Sequence, residues 1–159
     1  MADSLPRAIR TIVTAGLVAG VLDISYVFIY FSSIPPDALL RGIAAGLLGP
    51  NAAQGGLGTA VLGLAVHLSI ATWWAAVFYG LGRQWPVLLR NPWIVGPLYG
   101  VAVWLLMYLV VLPYFSANPP TQFPGPRWLP ILIAHLTCVG LPIALITRRM
   151  APPPAPPDR

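Results

Sequence analysis

Charge is almost absent from four long stretches of this chain, and nothing else in the sequence restricts its fold so strongly. Residues 9–31, 57–81, 93–114 and 128–147 are predominantly apolar and hold only two charged side chains between them, Arg10 and Asp23. A helix crossing a bilayer needs about 20 apolar residues, because the hydrocarbon core is about 30 Å thick and each helical residue rises about 1.5 Å. Every one of the four stretches meets that length. A soluble domain carries about 25% charged residues, whereas this chain carries 8%, with 57% hydrophobic. The expected fold is therefore all-α: an integral membrane four-helix bundle, one domain over residues 1–150, with the lipid bilayer as its first partner. Soluble, nucleic-acid-binding and disordered classes are excluded on the same ground. A single cysteine, Cys138, excludes a disulfide scaffold and a CxxC redox pair.

All nine basic residues are arginine, and their placement sets an expected topology. Arg7 and Arg10 precede the first span, Arg83 and Arg90 lie between the second and third, and Arg148, Arg149 and Arg159 follow the fourth. The other two connections hold only Arg41 and Arg127. Positive loops stay inside, so both termini are expected in the cytoplasm. Tyr30, Phe31, Tyr114 and Trp128 then form an outer aromatic belt, and Trp85 and Trp93 an inner one. The first span is expected to be retained rather than cleaved as a secretory signal: it is too long, Asp23 interrupts it, and no small-x-small site closes it.

The first outer connection contains Pro35-Pro36-Asp37, then the apolar run 38–48, then Gly49-Pro50-Asn51. The run reads as a short helix between the first and second spans, lying at the outer interface or dipping inward, with Asp37 as its N-terminal cap. The second outer connection, residues 116–127, holds four prolines and is expected to be extended. Residues 151–159 read as a disordered polyproline tail.

An internal repeat is visible. Tyr30-Phe31-Ser32 with Pro35-Pro36 matches Tyr114-Phe115-Ser116 with Pro119-Pro120 at the ends of the first and third spans, and Gly16 pairs with Gly100 at the same offset. Leu64-Ala65-Val66-His67-Leu68-Ser69 matches Leu132-Ile133-Ala134-His135-Leu136-Thr137 in the second and fourth. Coincidence in a biased composition is the competing explanation. If real, the repeat is a tandem of two helical hairpins about an axis along the membrane normal, and His67 and His135, the only histidines, are equivalent.

Asp23, His67 and His135 are the candidate site residues. From the outer ends of their spans they lie about 12, 15 and 10 Å deep at about 1.5 Å per residue, one layer in the outer half, with Tyr26 and Tyr108 near it. A charge at the bilayer centre costs about 3 kcal/mol on insertion scales, so such groups face the bundle interior and find partners. Helical spacing gives three stripes: Ile12, Gly16, Ala19, Asp23, Tyr26 and Tyr30; Ala60, Gly63, His67, Ala71 and Trp74; Trp128, Ile131, His135, Cys138 and Pro142. Gly16-x-x-x-Gly20 and the second stripe permit close helix approach, which would bring Asp23 to a histidine. Pro142 is expected to kink the fourth helix and free a carbonyl.

Four readings of the layer stay open. It is a structural lock, with Asp23 paired to one histidine and the Tyr26 and Tyr108 hydroxyls completing the hydrogen bonds. It binds or conducts a small solute, ion or proton, since imidazole titrates near neutral pH; four helices are few for a transporter, so a homodimer or larger assembly is implied. It holds a haem between His67 and His135, or a metal through these and Asp23. Or the protein is an accessory subunit of a larger membrane complex, docking through apolar surfaces with Trp73, Trp74 and Trp104. Catalysis has no support: HExxH, GxSxG and a phosphate loop are all missing. Gly55-Gly56-Leu57-Gly58 reads as a flexible helix start, with Asn51 and Gln54 as its caps or, as the second reading, lining the outer mouth of the site.

The chain resembles a group of uncharacterised bacterial inner-membrane proteins described as YagU-like. The resemblance is carried by Ala15-Gly16-Leu17-Val18-Ala19-Gly20 followed by Asp23, by residues 41–49 (RGIAAGLLG), by Gly55-Gly56 and Leu62-Gly63-Leu64-Ala65-Val66-His67, by Gly96-Pro97-Leu98-Tyr99-Gly100-Val101 and Leu112-Pro113, and by His135 with Gly140-Leu141-Pro142-Ile143-Ala144. It implies a small multi-helix inner-membrane protein and no particular activity.

Overall fold

The computed structural model describes residues 5–122, 125 and 128–151. Its elements are α1 (Leu5–Tyr30), α2 (Pro36–Leu48), α3 (Leu57–Gln84), α4 (Pro92–Phe115) and α5 (Trp128–Met150), with no strand among the described residues. α1, α3, α4 and α5 are long and apolar enough to cross a membrane, so this is a multi-pass membrane protein with an all-α four-helix bundle. α2 has 13 residues, about 20 Å at 1.5 Å per residue, too short to cross. Residues 152–159, and with them nearly all of the expected polyproline tail, lie outside the described residues, as does Arg127.

Punctuation in the sequence explains the breaks. Pro35-Pro36 starts α2, because proline's fixed φ suits the first helical position. Gly49 ends it at φ +89°, a left-handed value that favours glycine. Two caps expected from the sequence do not form. Asp37 sits inside the first turn of α2 and pairs with Arg41 one turn on, and Pro35 occupies the cap position. Asn51 and Gln54 belong to a 3-10 turn (Pro50–Gln54), and the cap of α3 is Gly56, with no side-chain bond.

Inside the bundle the contact surfaces are built from small residues. Ala15, Ala19, Ala75 and Ala144 are buried with Phe78, Val103, Val139 and Ile143. Lipid tails offer no hydrophobic drive for helices to associate, so association depends on close van der Waals contact, which small side chains permit. α1 packs against α3 and α5, α4 packs against α5, and α2 lies on α3. A Cβ on Gly63 would fall 1.9 Å from the Leu40 carbonyl oxygen. In the second stripe Gly63 thus admits α2, while Ala71 faces α1, its Cβ 3.1 Å from where a Cβ on Gly20 would lie.

The backbones of α3 and α4 stay apart. They meet at one end through side chains: Tyr99 Oη donates to the Trp74 carbonyl at 2.6 Å, and the Phe78 and Tyr99 rings lie 4.8 Å apart. Arg148 Nη1 donates to the Arg90 carbonyl at 3.0 Å, placing the last turn of α5 and the connection before α4 at one end of the bundle. At the other end α3 and α4 part, and α2 covers the gap.

Candidate functional site

The site begins at the crossing of α1 and α3. A Cβ on Gly16 would lie 2.4 Å from Thr72 Cα, and one on Gly20 2.8 Å from Leu68 Cδ2. Only glycine allows this approach, and it lets a side chain of α3 reach the α1 backbone. His67 Nε2 donates to the Gly20 carbonyl at 3.0 Å and stands 3.7 Å from Asp23 Oδ2. The acceptor is a carbonyl, so Nε2 carries a proton. Asp23 is 7% exposed, and its Oδ1 is buried without a hydrogen-bond partner.

The opposite wall comes from two π-helical turns, Met107–Val111 in α4 and His135–Gly140 in α5. Each is followed by a Leu-Pro pair, Leu112-Pro113 and Leu141-Pro142, and in each the leucine N–H donates five residues back, to Met107 and Leu136 respectively. Proline lacks the N–H and its ring collides with the carbonyl four residues earlier. Widening the preceding turn relieves that conflict while keeping carbonyls bonded, as membrane helices require. At Pro142 the expected kink with a freed carbonyl is replaced by a π-turn whose Leu141 N–H bonds the Leu136 carbonyl. His135 opens the second one. Its Nδ1–H donates to the Ile131 carbonyl at 2.9 Å.

Between these walls lies a cavity of about 480 Å³, lined by Asp23, His67, Trp74, Tyr108 and His135 among mostly apolar side chains. α2 contributes Leu39, Gly42, Ile43, Gly46 and Leu47, and Ser116 and Asn118 join them at the α2 end. Ligand pockets span roughly 300–1,000 Å³ and are mainly apolar with a few placed polar groups, and this cavity fits that description. Tyr108 is close enough to Asp23 to interact with it electrostatically. The Trp74 indole N–H is buried and unbonded.

Four of the five residues singled out from the sequence therefore line one cavity. Tyr26 does not. It stacks on Tyr30, with ring centroids 6.0 Å apart, because the buried stripe of α1 fades beyond Ile24. The paired histidines are not chemically alike: His67 bonds across to another helix through Nε2, and His135 bonds within its own helix through Nδ1. Among the described residues no three His, Cys, Asp or Glu side chains form a metal-holding group, so Asp23, His67 and His135 do not make up the metal triad considered from the sequence.

Sequence reasoning missed α2 as a wall of the site, although its signal was present. Leu39, Gly42, Ile43, Gly46 and Leu47 recur at the helical spacing that defines one face. It also missed the α4 side of the cavity beyond Tyr108, where Met107 and Val111 line it through the π-turn. Compared with protein-family models, curated proteins and solved structures, the chain matches none, and its chemistry has to be read from its own residues.

Proposed function

We propose that this chain is a non-enzymatic membrane protein that binds a small solute in the cavity at Asp23, entering from the α2 end. In this reading both termini are cytoplasmic, in a bacterial inner membrane, and the cavity opens toward the outer face. One observation carries it: Asp23 lines the cavity, and one oxygen of its buried carboxylate has no hydrogen-bond partner. Leaving a buried polar atom unpaired costs about 1–3 kcal/mol, more when it is charged. A purely structural lock gives Asp23 a close partner. Here the Nε2 proton of His67 is directed at the Gly20 carbonyl, and the carboxylate is 3.7 Å away.

The test is native mass spectrometry of the protein released from its own membrane, on the wild type, Asp23→Asn and Gly42→Trp. A Cβ on Gly42 meets nothing within 4 Å, and Gly42 lines the cavity, so a bulky side chain there takes up cavity space. The expected result is a small-molecule adduct on the wild type, lost in both variants with little change in melting temperature. A bare wild-type chain, with Asp23→Asn altering only stability, would return the polar layer to a structural role.

A further inference from the structure

We infer that the occupant is an organic monocation, a protonated amine on an apolar body; this rests on the reading of the cavity as a solute site. Among the described residues Asp23 is the only formally charged side chain on the cavity wall, and no arginine lines it. The arginine on the covering helix, Arg41, is engaged elsewhere, with Asp37 and with the Ala53 carbonyl through Nε at 3.1 Å. His67 is bonded to Gly20. The carboxylate thus lacks a hydrogen-bonded counter-charge in a largely apolar surround, where a charge is attractive to an opposite one because little water screens it. An ammonium group supplies the carboxylate with both a hydrogen-bond donor and the missing positive charge. Trp74 and Tyr108 add aromatic faces, which attract cations, and the remaining apolar wall accepts a hydrocarbon body. The same ammonium chemistry is found on free amines and on phosphatidylethanolamine headgroups.

Three isosteric probes separate charge from shape: phenylbutylammonium, phenylbutanol and phenylbutyrate. Each is titrated against the protein in phosphatidylcholine nanodiscs, with empty discs subtracted. The wild type is expected to bind the ammonium about tenfold or more tightly than the alcohol, as a hydrogen bond to a charged group predicts, and the carboxylate least. Asp23→Asn should bring the ammonium down to the alcohol. Should that variant fail to fold, the wild-type ranking decides alone. Equal binding of ammonium and alcohol, or a preference for the carboxylate, overturns cation selection and leaves the solute cavity standing. No binding of any of the three overturns both. Repeating the titration in discs containing phosphatidylethanolamine identifies the source. Weakened ammonium binding there points to the lipid headgroup, and unchanged binding to a free amine.

Discussion

Gly16 has no room for a methyl group. Its missing Cβ would sit 2.4 Å from a backbone atom, Thr72 Cα, so relief requires α1 and α3 to separate rather than a side chain to swing away. Overpacking of this kind costs about 1–3 kcal/mol. Gly80, in the same helix as Thr72, has nothing within 4 Å of its own Cβ position. Alanine there removes only glycine's helix penalty of about 1 kcal/mol. Gly16→Ala is therefore expected to destabilise, and Gly80→Ala to be neutral or stabilising, when unfolding is measured in mixed micelles. Equal losses in the two would mean that the crossing is not tight. The same substitution tests the site, since His67 reaches Gly20 only because the helices touch. Gly16→Ala should lengthen that hydrogen bond, which the imidazole nitrogen chemical shifts would report.

At the level of the helix, the two π-turns decide what the cavity sees. The sequence stripe on α5, drawn at a regular spacing through Cys138 and Pro142, describes a helix without insertions. In the structure the buried positions are Ala134, Val139, Gly140, Ile143, Ala144 and Thr147, one residue later past His135. One extra residue in the turn produces that shift, rotating the C-terminal half of α5 by about 100° relative to an unbroken helix. Pro142→Ala removes the cause. The expected outcome is a regular helix in which Cys138 takes the place of Val139 in the core. Labelling of Cys138 by a membrane-permeant maleimide should then slow several-fold, and an unchanged rate would mean that the bulge does not depend on the proline. The spans, the short helix and the Asp23–His67 encounter were legible because they derive from hydropathy, from length and from the Gly16–Gly20 pair. The α5 register was not, because periodicity assumes one turn type throughout. The caps failed for a related reason: Asp37, Asn51 and Gln54 are suitable residue types, but Pro35 and Gly56 hold the positions where a side chain could reach back.

At the level of the whole molecule, two glycine-tight hairpins are joined on one side and open on the other. In the first, Gly16 meets Thr72; in the second, a Cβ on Gly140 would lie 2.5 Å from the Gly100 nitrogen. These contacts fall at corresponding positions of the two matching segments, Gly16 with Gly100 and Thr72 with Gly140. The second hairpin alone carries the Leu-Pro pairs and their π-turns, and so the two halves differ where they face the cavity. α1 and α5 close one side of the bundle, and Tyr99 with Trp74 and Phe78 closes the end bearing Arg90 and Arg148. The remaining opening is the gap beneath α2, fastened across its mouth by a backbone hydrogen bond from Ala117 N–H to the Gly46 carbonyl at 2.7 Å. Proline at 117 removes that donor, and the preceding Ser116, at φ −92° and ψ 135°, already has the extended backbone that a proline after it prefers. Ala117→Pro should therefore loosen α2 without disturbing the bundle. Hydrogen exchange read by mass spectrometry in nanodiscs should speed up across 39–48 and stay unchanged in α1 and α3. Exchange rising everywhere would mean that α2 is integral to the bundle's stability, and no change at all would mean that its contact with α3 alone holds the cover in place.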